Sequence, residues 1–162
     1  MVQQQLGRVP RAFHRVAARC PYGAPAVTEQ EPYDVNGDPF PTTYYLTCSH
    51  LVAAVSRLEA AGGVERWSAD VAASDELRGD LADATAAQRR IRHELAGARR
   101  GADGGASLDS GIGGSRRPDQ LKCMHAHVAF ALACPGYRIG ELMLAEVAER
   151  WPLDRCCTAG VA

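Results

Sequence analysis

Residues 118–134 read PDQLKCMHAHVAFALAC, a stretch with almost no polar side chain after Lys122 apart from its cysteines and histidines. At 3.6 residues per turn, Leu121, Met124, His125, Val128, Ala131 and Leu132 share one face, and Cys123, His127, Phe130 and Cys134 lie roughly opposite. A helix that is apolar all round belongs at the centre of a fold, so the spacing predicts a buried helix on which the other elements pack. Cys123, His125 and His127 then need partners inside the protein. Cys123 and His127 are four apart, which lets both reach one metal ion from a single helix face.

Working outward, residues 140–150 read as a further helix with Ile139, Met143 and Val147 on one stripe, ended by Trp151-Pro152. On the other side, the glycine-rich segment 101–115, GADGGASLDSGIGGS, has no periodicity. Its first half, 101–107, reads as a flexible linker, and 111–117 as an ordered approach to the buried helix. Residues 68–100 form a long amphipathic pattern, with Leu77, Leu81, Ala84, Gln88, Ile91 and Leu95 on one stripe and acidic residues early, arginines late. Ser49 is placed to cap a helix carrying Leu51, Val52, Val55 and Leu58 that ends at Gly62-Gly63. Residues 26–33 and 40–47 flank Asn36-Gly37, a strong hairpin signal, although Pro32, Pro39 and Pro41 limit regular pairing. Val9, Phe13 and Val16 fall at helical spacing, so residues 10–19 are expected to be helical up to Cys20-Pro21-Tyr22-Gly23. The expectation is an α+β fold, mostly helical, with about five helices and one short irregular β-hairpin near the N-terminus, forming a single domain over residues 1–162.

The 162 residues suffice for one core without disulfides. Eighteen basic against nineteen acidic residues give a net charge of -1, which leaves no whole-protein field to hold nucleic acid or an anionic membrane. No stretch reaches the ~18 uninterrupted apolar residues of a membrane helix, and residues 1–20 lack a signal-peptide core, so the expected location is the cytoplasm. Thiols there stay reduced, and six cysteines read as metal ligands, reactive thiols or small buried side chains rather than disulfides. Lys122 is the single lysine among 18 basic residues, the rest being arginine.

Cys20, Cys48 and Cys156 or Cys157 all lie at expected element boundaries, where thiols can be aimed inward. With Cys123 they offer four thiolates, and with His125 or His127 a mixed site, for zinc or an iron–sulfur cluster. No Cys-x-x-Cys knuckle occurs. An enzymatic alternative takes Cys123 as a nucleophile activated by Lys122 or His125. In that reading Ser115, Arg116 and Arg117, after the glycines of 111–114, hold a small anionic or phosphorylated ligand at a helix N-terminus. A non-catalytic adaptor docking through the 68–100 helix is the third reading.

Arg19-Cys20-Pro21-Tyr22-Gly23, Pro39-Phe40-Pro41-Thr42 through Leu46-Thr47-Cys48, Gly111-Ile112-Gly113-Gly114 and Lys122-Cys123-Met124-His125-Ala126-His127 together resemble the bacterial domain-of-unknown-function family five-hundred-and-one. The resemblance runs from about Arg8 to Glu149. It marks Cys20, Cys48, Lys122, Cys123, His125 and, less closely, His127 as motif positions, favours a site shared among them, and implies no established activity. Cys156 and Cys157 depart from the pattern, and Cys134 becomes an incidental small residue.

Overall fold

The computed structural model describes residues 1–117 and 119–157. A short helix α1 (Val2–Leu6) leads into strand β1 (Phe13–Arg19), followed by β2 (Pro25–Gln30), β3 (Tyr44–Leu46), α2 (Ser49–Ala60), α3 (Gly63–Ala73), α4 (Asp75–Ala96), α5 (Met124–Ala133) and α6 (Arg138–Ala145). The three strands form an antiparallel sheet in the order β1-β2-β3. The α+β, mostly helical architecture is therefore the expected one, with a third strand and six α-helices among the described residues.

That third strand corrects the reading of residues 10–19. Val9 is 65% exposed and Phe13 39%, while Val16 is half-buried, so the apolar residues at helical spacing share no buried face. What decides the conformation is the ladder along β2, where Val16 pairs with Thr28 and Ala18 with Val27. Without β1, the buried central strand would present unpaired N–H and C=O groups at its edge. β2 is polar for a central strand, and its buried groups are matched. Glu29 accepts from Arg15 Nε at 2.5 Å and from the Tyr44 hydroxyl at 2.9 Å, and Gln30 Nε2 donates to Thr28 Oγ1 at 2.7 Å. The expected hairpin is present, with Val27 opposite Leu46 and Glu29 opposite Tyr44. Gly37 takes the left-handed conformation at the Asn36-Gly37 turn, φ 82°.

Cys48, not Ser49, occupies the N-cap position of α2, and Ser49 is its first helical residue. The single helix expected over 68–100 is two. Ser74 is extended, and its hydroxyl accepts from Leu77 N at 3.3 Å, opening α4 as an N-cap does. The buried face of α4, with Leu81, Ala84 and Gln88, packs on α3, α6 and the 106–114 segment. The stripe that a docking partner would need is thus used internally.

α5 is the buried centre anticipated from its composition, with residues 126–131 all buried. It begins at Met124 rather than 118; residue 118 itself lies outside the described residues. Cys123 is its N-cap, in extended conformation (φ -158°), so Cys123 and His127 do not share a helical face. α6 spans Arg138–Ala145, shifted toward the N-terminus from the expected 140–150. It crosses α5 at contact because Gly140 has no side chain; a Cβ there would sit 2.5 Å from the His127 carbonyl oxygen and 2.6 Å from Ala131 Cβ. No single helix among the described residues is long and apolar enough to cross a membrane, and the apolar pair α5 and α6 is bent by 110°.

The segment 101–115 carries two 3-10 turns, Ala106–Asp109 and Ile112–Gly114, with Leu108 and Ile112 buried. Arg92 fastens it. This arginine is fully buried, and its Nε donates to the Ser107 carbonyl at 3.1 Å while Nη1 reaches the carbonyls of Phe40 at 3.1 Å and Pro41 at 3.3 Å and the Thr43 hydroxyl at 3.4 Å. Burial pulls its pKa down, opposed by Tyr33 and Asp103. Removing the guanidinium strands several carbonyls at once, so Arg92→Ala is expected to lower the unfolding free energy by about 3–5 kcal/mol, and Arg92→Lys by less, because one ammonium cannot span both loops. Urea unfolding followed by circular dichroism measures both; a loss below ~1 kcal/mol for Arg92→Ala would contradict this account.

Candidate functional site

The C-terminal end of α2 meets the N-terminus of α5. Glu59 stands in the last turn of α2, where the helix dipole disfavours an acidic residue. Its placement is explained by its partners: Oε1 accepts the Met124 backbone N–H at 2.6 Å, capping α5 from another helix, and lies 3.2 Å from His125 Nδ1. The Cys123 sulfur is 3.7 Å from the same Nδ1. Among the described residues, Glu59, Cys123 and His125 form the one group of three or more potential ligands whose donor atoms all lie within 4.8 Å of one another.

The other side of the ring fixes its hydrogen. His125 Nε2 lies 3.2 Å from the Val52 carbonyl and 3.2 Å from Ser56 Oγ. A carbonyl only accepts, so Nε2 carries a hydrogen. Nδ1 therefore turns toward a carboxylate and a sulfur, where a bare lone pair is repelled and a proton or a metal ion is favoured. In the metal-free protein this pushes the His125 pKa up to about 9: the Cys123 hydrogen bond raises it, burial opposes, and the Glu59 charge and Val52 carbonyl add to the rise.

Cys123 and His125 line a cleft of about 530 Å³ whose walls include Leu6, Tyr45, Leu46, Val52 and Ala126. Gly113 also lines it. With φ 70°, and with a Cβ only 3.1 Å from Ala126 Cβ if one were added, it lets the second 3-10 turn lie against the first turn of α5. A larger cleft, about 910 Å³, opens between α3, α4 and residues 119–121; its lining contains no cysteine or histidine, and we place the chemistry in the smaller one.

The remaining candidates lie elsewhere. His127 is fully buried, with Nδ1 2.7 Å from the Tyr137 hydroxyl, and burial pushes its pKa down to about 3, so it is a neutral core residue. Cys20 and Cys48 flank the start of β2: Cys20 N donates to the Ala24 carbonyl, and Cys48 N reaches that of Ala26. Cys48 Sγ is 3.5 Å from Cys157 Sγ, and Cys156 also interacts with Cys157. Neither Cys20, Cys48, Cys156 nor Cys157 joins the group at Cys123. The cysteines thus do not converge on one point as the sequence suggested. Lys122 is exposed and outside the cleft lining. Ser115 is buried, and its hydroxyl donates to the Arg117 carbonyl at 2.7 Å within its own turn. Arg116 and Arg117 are exposed, and the helix expected to begin beside them starts at Met124.

A family model described as protein of unknown function (DUF501) matches residues 16–145. The chain belongs to that family. No curated protein and no solved structure matches it. The matched residues include Glu59, Cys123 and His125, so the whole three-ligand group lies within the family's span. Glu59 is the member that sequence reasoning missed; its one signal was an acidic side chain in a last helical turn.

The electrostatics of the group are open to direct measurement. After chelator treatment, the His125 ring followed by NMR should titrate near 9, and Cys123→Ser or Glu59→Gln should each move the midpoint down toward the ordinary ~6.5. Because the folded pKa is the raised one, the stabilisation from this group is fully present below about pH 6.5 and is lost as pH rises through about 9. A wild-type midpoint near 6.5 would show that Nδ1 does not face the two acidic partners.

Proposed function

We propose that the protein binds one zinc-class divalent ion through the Glu59 carboxylate, Cys123 Sγ and His125 Nδ1, with an open coordination position facing the cleft. The observation that carries this reading is the convergence of three chemically different donors within 4.8 Å, two of which, Cys123 and His125, line a cavity. Sulfur, imidazole and carboxylate are all ordinary zinc ligands, and three protein ligands with a fourth position left open is the arrangement of reactive rather than structural zinc. The Val52 carbonyl behind Nε2 is the outer-shell acceptor that fixes a ligating histidine in the required tautomer. One thiolate is too few for an iron–sulfur cluster, which favours zinc of the two metal readings. The open position suits water or the donor atom of a small anionic ligand entering between Leu46, Val52 and Ala126.

The same pair supports thiol chemistry as a second reading. In the absence of a metal, protonated His125 beside Cys123 resembles the imidazolium partner of nucleophilic cysteines.

Cobalt titration of chelator-treated protein separates the two. We expect one equivalent to bind with the tetrahedral absorption and sulfur-to-metal charge-transfer band of a single thiolate, the latter lost in Cys123→Ser. Ser56→Ala, which removes an outer-shell group at Nε2, should weaken binding by about tenfold. A folded protein that binds no metal, yet is alkylated selectively at Cys123, would discard the metal reading in favour of the nucleophile.

A further inference from the structure

The last residues described lie across the N-terminus of α2 and are held there by three successive tethers. Arg66 Nη2 pairs with Glu146 at 2.5 Å, His50 Nε2 donates to the Glu149 carbonyl at 2.7 Å, and the Tyr22 hydroxyl donates to the Leu153 carbonyl at 2.8 Å while lying against that of Pro152. The path ends with Cys157, whose sulfur sits 3.5 Å from that of Cys48, the N-cap residue of the 12-residue helix α2. No metal group of three ligands is formed there among the described residues. The two thiols face each other unlinked.

We propose that Cys157 and Cys48 are a peroxide-reactive thiol pair, Cys157 the attacking sulfur and Cys48 the resolving one, which closes to a reversible disulfide. The two differ in the way such a division of labour needs. Cys48 is buried at 2% exposure, and burial pushes its thiol up to about 11. Cys157 is only partly buried and so within reach of a small oxidant. Burial raises its pKa too, but the Ser49 hydroxyl, the His50 backbone N–H and the neighbouring Cys48 and Cys156 thiols outweigh this and hold it below the ordinary range. Hydrogen-bond donors at a helix N-terminus favour a thiolate at that place.

The step balances with hydrogen peroxide as the oxidant. The Cys157 thiolate attacks one peroxide oxygen, the O–O bond breaks, and the departing hydroxide takes a proton to leave as water, giving the sulfenic acid. Cys48 sulfur then attacks Cys157 sulfur, the S–S bond forms, and the sulfenic hydroxyl leaves as a second water with the Cys48 proton. Two thiols and one peroxide become one disulfide and two waters, and an external dithiol reverses the change by exchange. The product ties the tail to the start of α2, at the opposite end of that helix from Glu59.

Fully reduced full-length protein, treated with hydrogen peroxide and mapped by non-reducing proteolysis with fragment-ion sequencing, tests this. The expected product joins Cys48 to Cys157 and disappears on adding dithiothreitol. With Cys48→Ser and Cys156→Ser combined, which removes both thiols beside Cys157, the reaction should stop at a sulfenic acid on Cys157 that dimedone traps, and in Cys157→Ser the loss of the Cys48 thiol should slow by at least about tenfold. A linkage through Cys20 or Cys156 in place of Cys157, or oxidation confined to Cys123, would overturn the assignment; the wild-type map alone decides this, whatever the folding of the variants. Because Cys123 and His125 take no part, the result is independent of whether the cleft binds metal.

Discussion

Arg92 is the constraint on which the layout around the cleft depends. A guanidinium with no solvent contact, and no carboxylate within ion-pair distance among the described residues, is held by oxygens drawn from two separate loops. Carbonyl dipoles converging on the cation offset part of its desolvation, and in doing so they fix where those loops run. Thr43 precedes β3 directly, so the arginine sets the entry of the strand that supplies Tyr45 and Leu46 to the cleft wall. Ser107 belongs to the first 3-10 turn, so the same side chain sets the approach of the second, which brings Gly113 against α5. One buried charge on α4 thereby positions two walls of a cavity that it does not touch.

What could be read in the sequence follows from which interactions are local. The uninterrupted apolar character of 124–133 announces a central helix because no partner is needed to recognise it. The Asn36-Gly37 turn is legible for the same reason, since the left-handed φ of Gly37 is a property of the residue itself. Within residues 10–19, Phe13–Arg19 is a strand despite the helical spacing of Val9, Phe13 and Val16, because the edge of β2 that recruits it lies beyond the next turn. Ser74 ended a helix inside a continuous amphipathic pattern because extended backbone at one residue leaves the periodicity on either side nearly intact.

The same division applies to the site. Cys123 and His125 stand two apart and were legible as chemistry-bearing residues, although His127 was equally eligible until its hydrogen bond with Tyr137 placed it in the core. Glu59 comes from a helix more than sixty residues earlier, and no spacing rule connects it to them. The boundary positions of Cys20, Cys48 and Cys157 were informative, but a sequence cannot say at which end of an element a boundary falls in space. Cys48 and Glu59 mark opposite ends of α2, and that helix's length is what keeps two sulfur environments apart.

The family match stops at residue 145, which is also the last residue of α6. Glu59, Cys123, His125 and Cys48 lie inside that limit, while Glu149, Leu153 and Cys157 lie beyond it. The matched span therefore holds the three-ligand group and all of the cleft wall except Gln5 and Leu6, but only one of the two facing thiols, the other lying on the segment beyond α6. The tail is nonetheless no loose end: Trp151, Cys156 and Cys157 pack against the core, so the sulfur offered to Cys48 is seated by the same apolar contacts that close the body of the fold.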